Sequence, residues 1–502
     1  MRPMTFGRGF IGTVCTVLVL GGAVAMAPTA SAAACDPENL NSRSDFDGDG
    51  SADVAVGMPW YSDASGAVDI RGTGSPPLVL RSGAIGAGTG EGDRFGAAIA
   101  VGDLDQDGCA DLAISAPAEG PTPGSAGTGG QVHIVFGGAG GLDLSTSVTL
   151  AHPSTVMSFG EQLALQRVEG GHDLYVSAPD STVNGHVRAG EVFRYTITKD
   201  AATRVKATLR EARSQDSAGV PGSAETGDRF GETLAATNRG GVLVGAPEED
   251  IGKIRDAGGV WFLRVNAAGA PIASSSWSQD SPGVAGAAET NDRFGAALGS
   301  AGNVAVVGVP NEDSGSKADS GMIQTFTSTG SGTFTPGKGI TQDTAGIPGA
   351  LEAGDQFGAA VVVGTALLCQ EAIDAAVGAP GEKIGTRAEA GLVTLINVDG
   401  IGGCPAKALR QGSGLAGAAE TGDQVGGVLA LTRRSADLEE DYSDRLLIGV
   451  PLEDIGAKTD AGMVQPAAGG ITANGQLQEV LKFSQGYLQT DHYGLVLPSA
   501  VS

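Results

Sequence analysis

Two short stretches concentrate most of the chemistry legible in this sequence: residues 45–53, DFDGDGSAD, and residues 103–111, DLDQDGCAD. Each has acids at its first, third, fifth and ninth positions, namely Asp45, Asp47, Asp49 and Asp53, then Asp103, Asp105, Asp107 and Asp111, with glycine at the sixth. Carboxylates at alternate positions of a tight turn bring hard oxygen ligands to one point. That suits Ca²⁺, with the backbone carbonyl of Ser51 or Cys109 at the seventh position completing the set. An EF-hand would also need flanking helices and a glutamate at the twelfth position, where Val56 and Ile114 stand. One such loop could be a solvated turn; two of one pattern at equivalent places imply two structural Ca²⁺ sites. Because each ligand set comes from a single loop with no acid or base beside it, the metal is expected to brace rather than to catalyse.

Other chemistry is sparse. There is no G-x-S-x-G elbow, no H-E-x-x-H and no phosphate-cradling glycine loop, and His133, His152, His172, His186 and His492 are scattered. A net charge of −26 excludes nucleic acid, whose phosphates call for a basic stripe. The expectation is a protein without a catalytic centre of its own.

The elements that must hold these loops repeat. An apolar strand closing on proline occurs at Pro59, Pro117, Pro179, Pro247, Pro310, Pro380 and Pro451. An aromatic or apolar residue followed by glycine opens the unit at Phe95, Phe159, Phe230, Phe294, Phe357, Val425 and Tyr493. The two series are out of phase: the chain starts with an orphan closing half and ends with an orphan opening half. A ring explains this, because its last strand can complete the first unit, pairing beside residues 53–57, and leave no sheet edge exposed. Each unit reads as four short strands, in the second unit 95–101, 112–116, 131–136 and 147–150. The aromatic is expected in the core. Asp228, Asp292, Asp355 and Asp423, just before strand one, would cap the turn into it at the channel mouth.

The phrases GDRFG…VGAP, NDRFG…VGVP and GDQFG…VGAP resemble the FG-GAP repeats of integrin α-chain head domains and related bacterial secreted proteins. The resemblance runs from about Asp45 to Leu497, with departures at Val425 and in the third unit, which lacks the acid before Phe159. It implies an all-β, seven-bladed β-propeller of four-stranded antiparallel blades, with calcium in the loops before strand two and partners engaged by the opposite loops. FG-GAP repeats also accompany some secreted phospholipases, which gives the alternative: an extracellular phospholipase- or glycosidase-like hydrolase working at the central face.

The loops after strand two read EEDIGKIRDAGG, NEDSGSKADSG, GEKIGTRAEAG and LEDIGAKTDAG and emerge opposite the calcium loops. If exposed, Glu249, Asp250, Glu312, Asp313, Glu453 and Asp454 would form a partner-binding face; good turn chemistry alone also explains such loops. Arg2 and Arg8, an apolar run from Phe10 to Met26 and small residues from Ala30 to Ala34 read as a secretory signal over residues 1–34, leaving 35–502 as one domain. A lipid on Cys35 is the rival reading, disfavoured by Ala32 three residues earlier. Four cysteines then remain. Placement of their loops at one end of the ring pairs Cys35 with Cys109 and Cys369 with Cys404. The expected protein is a secreted, monomeric, calcium-stabilised adhesion module without a membrane span, directed at an extracellular protein or glycan.

Overall fold

The computed structural model describes Cys35 and residues 44–72, 76–88, 90–120, 129–153, 156–266, 268–328, 332–400, 403–433 and 444–467. Seven antiparallel sheets follow one another along the chain, each hydrogen-bonded in sequence order. They are the seven blades of an all-β propeller. In the second sheet the strands are Ile99–Gly102, Asp111–Ala116, Gln131–Phe136 and Asp143–Thr149. The third, fourth and fifth sheets repeat this count, and the sixth adds a short parallel pair at its outer edge. The first and seventh show three strands each among the described residues. The C-terminal strand expected near Tyr493 and the signal segment 1–34 both lie outside those residues.

Strands two and three are buried on both faces, as in Gly241–Ala246 and Val304–Val309, which explains their runs of Val and Ala in place of a strict alternation. The core accordingly lies between sheets. Phe159 packs with Phe136 and Ile134 of the preceding sheet, Phe230 with Trp261 and Tyr175, and Phe357 with Val306 and Ile323. Sheet seven meets sheet one in the same manner: Val54, Val56, Met58 and Ala67 pack on Ala430, Leu447 and Val464. This contact closes the ring.

Each of the six described opening phrases forms a joint with the preceding blade, so the regular inner strand starts at Ile99 rather than at Phe95. The aromatic N–H donates to the residue that precedes strand three of the neighbour: Phe95 to Ser65, Phe159 to Gly129, Phe230 to Ala189, Phe294 to Ala257, Phe357 to Ser320 and Val425 to Ala390, at 2.9–3.2 Å. A glycine follows that acceptor, for example Gly258 at φ +88°, and a Cβ there would collide with the backbone of Phe294. The glycine after the aromatic fits just as closely. Its N–H bonds strand two of its own blade, as in Gly295 to the Gly308 carbonyl at 3.1 Å, while its carbonyl lies against Gly245, the closing glycine of the blade before. The opening half thus carries glycine throughout, and the closing half carries it at Gly245, Gly308 and Gly378, where two backbones touch.

Gly258→Ala is expected to lower unfolding stability by about 3 kcal/mol or more, combining positive-φ strain with a backbone collision. Phe294→Ala should cost about 3–5 kcal/mol by opening a cavity between blades. Denaturant midpoints measure both; a loss under about 1 kcal/mol for either would contradict the joint as described.

Candidate functional site

The two aspartate loops take equivalent places: residues 45–53 lead into Val54–Met58, and residues 103–111 join Ile99–Gly102 to the next strand. Backbone N–H groups fold each loop around its own carboxylates. In the first, Gly48 and Gly50 donate to Asp45 at 2.7 and 2.9 Å, Asp49 to Asp47 at 3.1 Å, Ser51 to Asp49 at 2.7 Å and Phe46 to Asp53 at 2.7 Å. In the second, Asp107 and Gly108 donate to Asp103 at 3.0 and 3.2 Å, Asp107 also to Asp105 at 3.1 Å, Cys109 to Asp107 at 2.9 Å and Leu104 to Asp111 at 2.7 Å. The two patterns differ in the N–H that reaches round to the first aspartate's Oδ1 and in a further bond from the Asp105 N–H to Asp111 at 3.1 Å; the remaining bonds correspond.

One carboxylate oxygen from each of Asp45, Asp47 and Asp53 lies within 4.8 Å of the others, and the same holds for Asp103, Asp105 and Asp111. Asp49 and Asp107, at the loop tips, stand outside these closest sets. Burial, reinforced by the neighbouring acids, pushes Asp53 up to about 8 and Asp103 up to about 6, and raises Asp111 well above the usual carboxylate range. Buried carboxylates crowded this closely repel one another unless protonated or bound to a cation. An all-oxygen set of this kind fits a hard divalent ion, so the residues present are compatible with calcium.

Both disulfides join the expected partners. Cys35 and Cys109 have Cα atoms 5.0 Å apart, tying the segment before the first loop to the second; Cys369 and Cys404, 5.9 Å apart, link two loops of the sixth sheet.

The six acids read as a binding face divide into two kinds. Glu249, Glu312 and Glu453 are internal braces: each carboxylate accepts the side-chain N–H of a glutamine at the end of a strand four, from Gln215 at 2.7 Å, Gln279 at 2.5 Å and Gln411 at 2.5 Å. Glu382 and Gln342 form a fourth such pair at 2.7 Å. Glu453 is buried and Glu249 and Glu312 half-buried, which corrects the premise that all six are exposed. Crossing-loop glycines such as Gly286 and Gly417 pack directly on these pairs, leaving the acids little access to solvent. Asp250, Asp313 and Asp454 instead pin their loops, each accepting the backbone N–H six residues on at 2.9 Å, and Asp313 and Asp454 remain exposed. The glutamines went unmarked in the sequence, although the repeated SQDS and TQDT at the ends of these strands was a usable signal.

Asp228, Asp292, Asp355 and Asp423 each accept the N–H three residues back, at 2.5–2.6 Å, as turn caps. Beyond them runs the central channel, lined by the inner strands of sheets two to seven. Its walls are mainly Ala, Val and Leu, with Gln162, Thr233 and Ser300 among the polar exceptions. Just outside this lining, Arg94 pairs with Glu161 at 3.1 Å, and Arg229 and Arg293 pair with Glu232 at 2.6 and 3.4 Å. One imidazole–carboxylate pair, His133 with Glu119 at 2.8 Å, is sealed in the second blade, where both residues are 2% exposed and out of a substrate's reach.

Residues 95–135, which span most of the second blade, match the FG-GAP repeat family model. Phosphatidylinositol-glycan-specific phospholipase D of Mus musculus is 33% identical over 218 residues, 40% of this chain and 25% of that protein. The Rattus norvegicus protein of the same name is 34% identical over 158 residues, 29% of this chain and 18% of its own length. Integrin alpha-IIb of Homo sapiens is 34% identical over 167 residues, covering 30% of this chain and 16% of that protein. The matches therefore span a quarter or less of these relatives. Among the described residues no helix is long and apolar enough to cross a membrane.

The folded chain binds protons more tightly than the unfolded chain at many of its acids. Burial lifts Asp228, Asp292, Asp355 and Asp423 to about 6, Glu312 and Glu382 to about 7 and Glu249 to about 8. An acid raised on folding gives its full stabilisation below its unfolded value near 4 and loses it as pH rises through the folded value. With EDTA present, the melting temperature should therefore fall as pH increases from about 5 to about 8. A melting temperature that rises over this interval would contradict the burial of these groups.

Proposed function

We propose that this protein is a calcium-braced β-propeller, exported from the cell, that binds an extracellular partner and performs no catalysis itself. The carrying observation is the pair of aspartate loops: two sets of buried carboxylates, wrapped by nearly the same backbone hydrogen bonds at equivalent places in adjacent blades. Asp45, Asp47, Asp49, Asp53 and the Ser51 carbonyl would hold one Ca²⁺; Asp103, Asp105, Asp107, Asp111 and the Cys109 carbonyl would hold the other. Bound calcium would offset the repulsion among these acids and fix the loops that enter strand two of the first two blades. Two disulfides suit an oxidising compartment, and the similarity to integrin alpha-IIb points the same way.

The binding role rests on how the charged groups are used. Around the channel the arginines face acids, the channel wall is largely apolar, and the Glu–Gln pairs are consumed in bracing. Asp250, Asp313 and Asp454, carried on equivalent loops of three blades, are what the opposite face offers a protein or glycan. The similarity to phosphatidylinositol-glycan-specific phospholipase D supports the alternative of a hydrolase, but it covers only part of that protein.

Calorimetric titration of the monomeric mature chain should register two Ca²⁺ per molecule. At a hundredfold excess over Kd each ion would add about 2.7 kcal/mol of stability, so EDTA should lower the melting temperature. No heat of binding together with an unchanged melting temperature would refute the metal reading. For the face, Asp250→Lys, Asp313→Lys and Asp454→Lys combined should weaken retention on immobilised extracellular proteins or glycans by about tenfold, from loss of charge complementarity. Unaltered retention, or turnover of a phosphoester or glycoside by the purified chain, would count against a binding module.

A further inference from the structure

The second aspartate loop is not left to its own backbone. The third blade has an unusually long outer hairpin, Glu191–Asp200 and Arg204–Arg213, whose tip crosses to the loop of the second blade. The tip is held by its own hydrogen bonds: Asp200 accepts the N–H groups of Ala202 and Thr203 at 2.9 and 3.0 Å and the Thr203 hydroxyl at 3.0 Å. Arg204 follows at φ +63°. Its guanidinium donates to Asp105 Oδ2 at 2.5 Å, to Asp107 Oδ2 at 3.0 Å and to the Gly137 carbonyl at 3.2 Å, and stacks over Phe136 with its central carbon 4.4 Å from the ring centroid. Asp143 lies 3.6 Å away, and Lys199 of the same hairpin donates to the Gln106 carbonyl at 2.9 Å.

The oxygens that Arg204 occupies matter. Asp105 Oδ1 and Asp107 Oδ1 already accept backbone N–H groups, from Asp107 and Cys109, and shape the loop. Oδ2 of each turns instead to Arg204, whose guanidinium bonds both and so partly neutralises two of the loop's four carboxylates. A guanidinium held by this tip, an aromatic face and a carbonyl opposes a dication in two ways. It takes up two of the four carboxylates, and it places a positive charge within a few ångströms of the ion.

Resting on the calcium reading above, we propose that Arg204 is a built-in competitor for the second loop, a specificity-determining residue that sets this site's affinity well below what its four acids would otherwise give. Calcium enters by displacing the guanidinium from Asp105 and Asp107, so binding also releases the hairpin tip of the third blade from the second. Partner-blade contact and ion compete for the charge of one pair of carboxylates.

The test uses the mature chain carrying Asp45→Asn, which confines calcium binding to the second loop, with and without Arg204→Gln and Arg204→Lys. Calcium alone is titrated by calorimetry, and hydrogen exchange is followed at residues 200–206. Arg204→Gln should tighten calcium binding at the second loop by about tenfold or more, the effect of removing a charge close to the ion. Arg204→Lys, which keeps the charge, should remain weak, and calcium should speed exchange at the tip in the Arg204 protein. Unchanged or weaker binding by Arg204→Gln, with the first loop of the unmutated chain still binding, would overturn this proposal alone. If the unmutated chain binds no calcium at either loop, the calcium reading fails and takes this one with it.

Discussion

The structure depends on close contact between backbones of adjacent blades. In the six described joints a peptide N–H at the opening residue bonds the carbonyl before strand three of the previous blade, and the glycine after that carbonyl leaves room for the approach. Phe95, Phe159, Phe230, Phe294 and Phe357 are fully buried beside it, as is Val425 in the seventh blade. A hydrogen bond in such a dry joint is expensive to leave unmade, and each aromatic adds a large apolar area to the inter-blade core. Among the described residues six such joints link blade one through to blade seven, so a fault at one joint weakens both of its neighbours.

The joints also explain where the acids go. The chain carries 57 acidic against 31 basic residues, yet many of its acids are buried. Turn-cap aspartates fix the approach to every described opening residue but that of the third blade, and the Glu–Gln pairs lock the crossing loop onto the loop after strand two. Each takes a hydrogen bond in return for desolvation, which raises its proton affinity. The two aspartate loops are extreme cases, with several carboxylates sharing one small volume. At the second of them a guanidinium from the third blade already supplies part of the opposing charge.

Much of this was legible in the sequence because the repeat has a backbone cause. Glycine after each opening residue, and proline at each closing one, recur in seven units, so the number of blades and the offset of the two series could be read directly. The disulfides followed once loop ends were assigned to one side of the ring. The loop acids were harder. Glu249 and Asp250 are neighbours in sequence, yet one carboxylate turns in to Gln215 and the other bonds the N–H of Asp256. Composition cannot separate them, since the decision belongs to a glutamine 34 residues earlier. Arg204 was invisible for the same reason: its partners lie 97 and 99 residues away in another blade.

The central claim is that the inter-blade joint holds the ring together, and amide hydrogen exchange tests it most directly. The N–H groups of Phe95, Phe159, Phe230, Phe294, Phe357 and Val425 should exchange as slowly as those in the buried second strands, opening only when the ring itself opens. If these six amides exchange at the rate of the surrounding loops while the second strands stay protected, the joints do not carry the ring and the account is wrong.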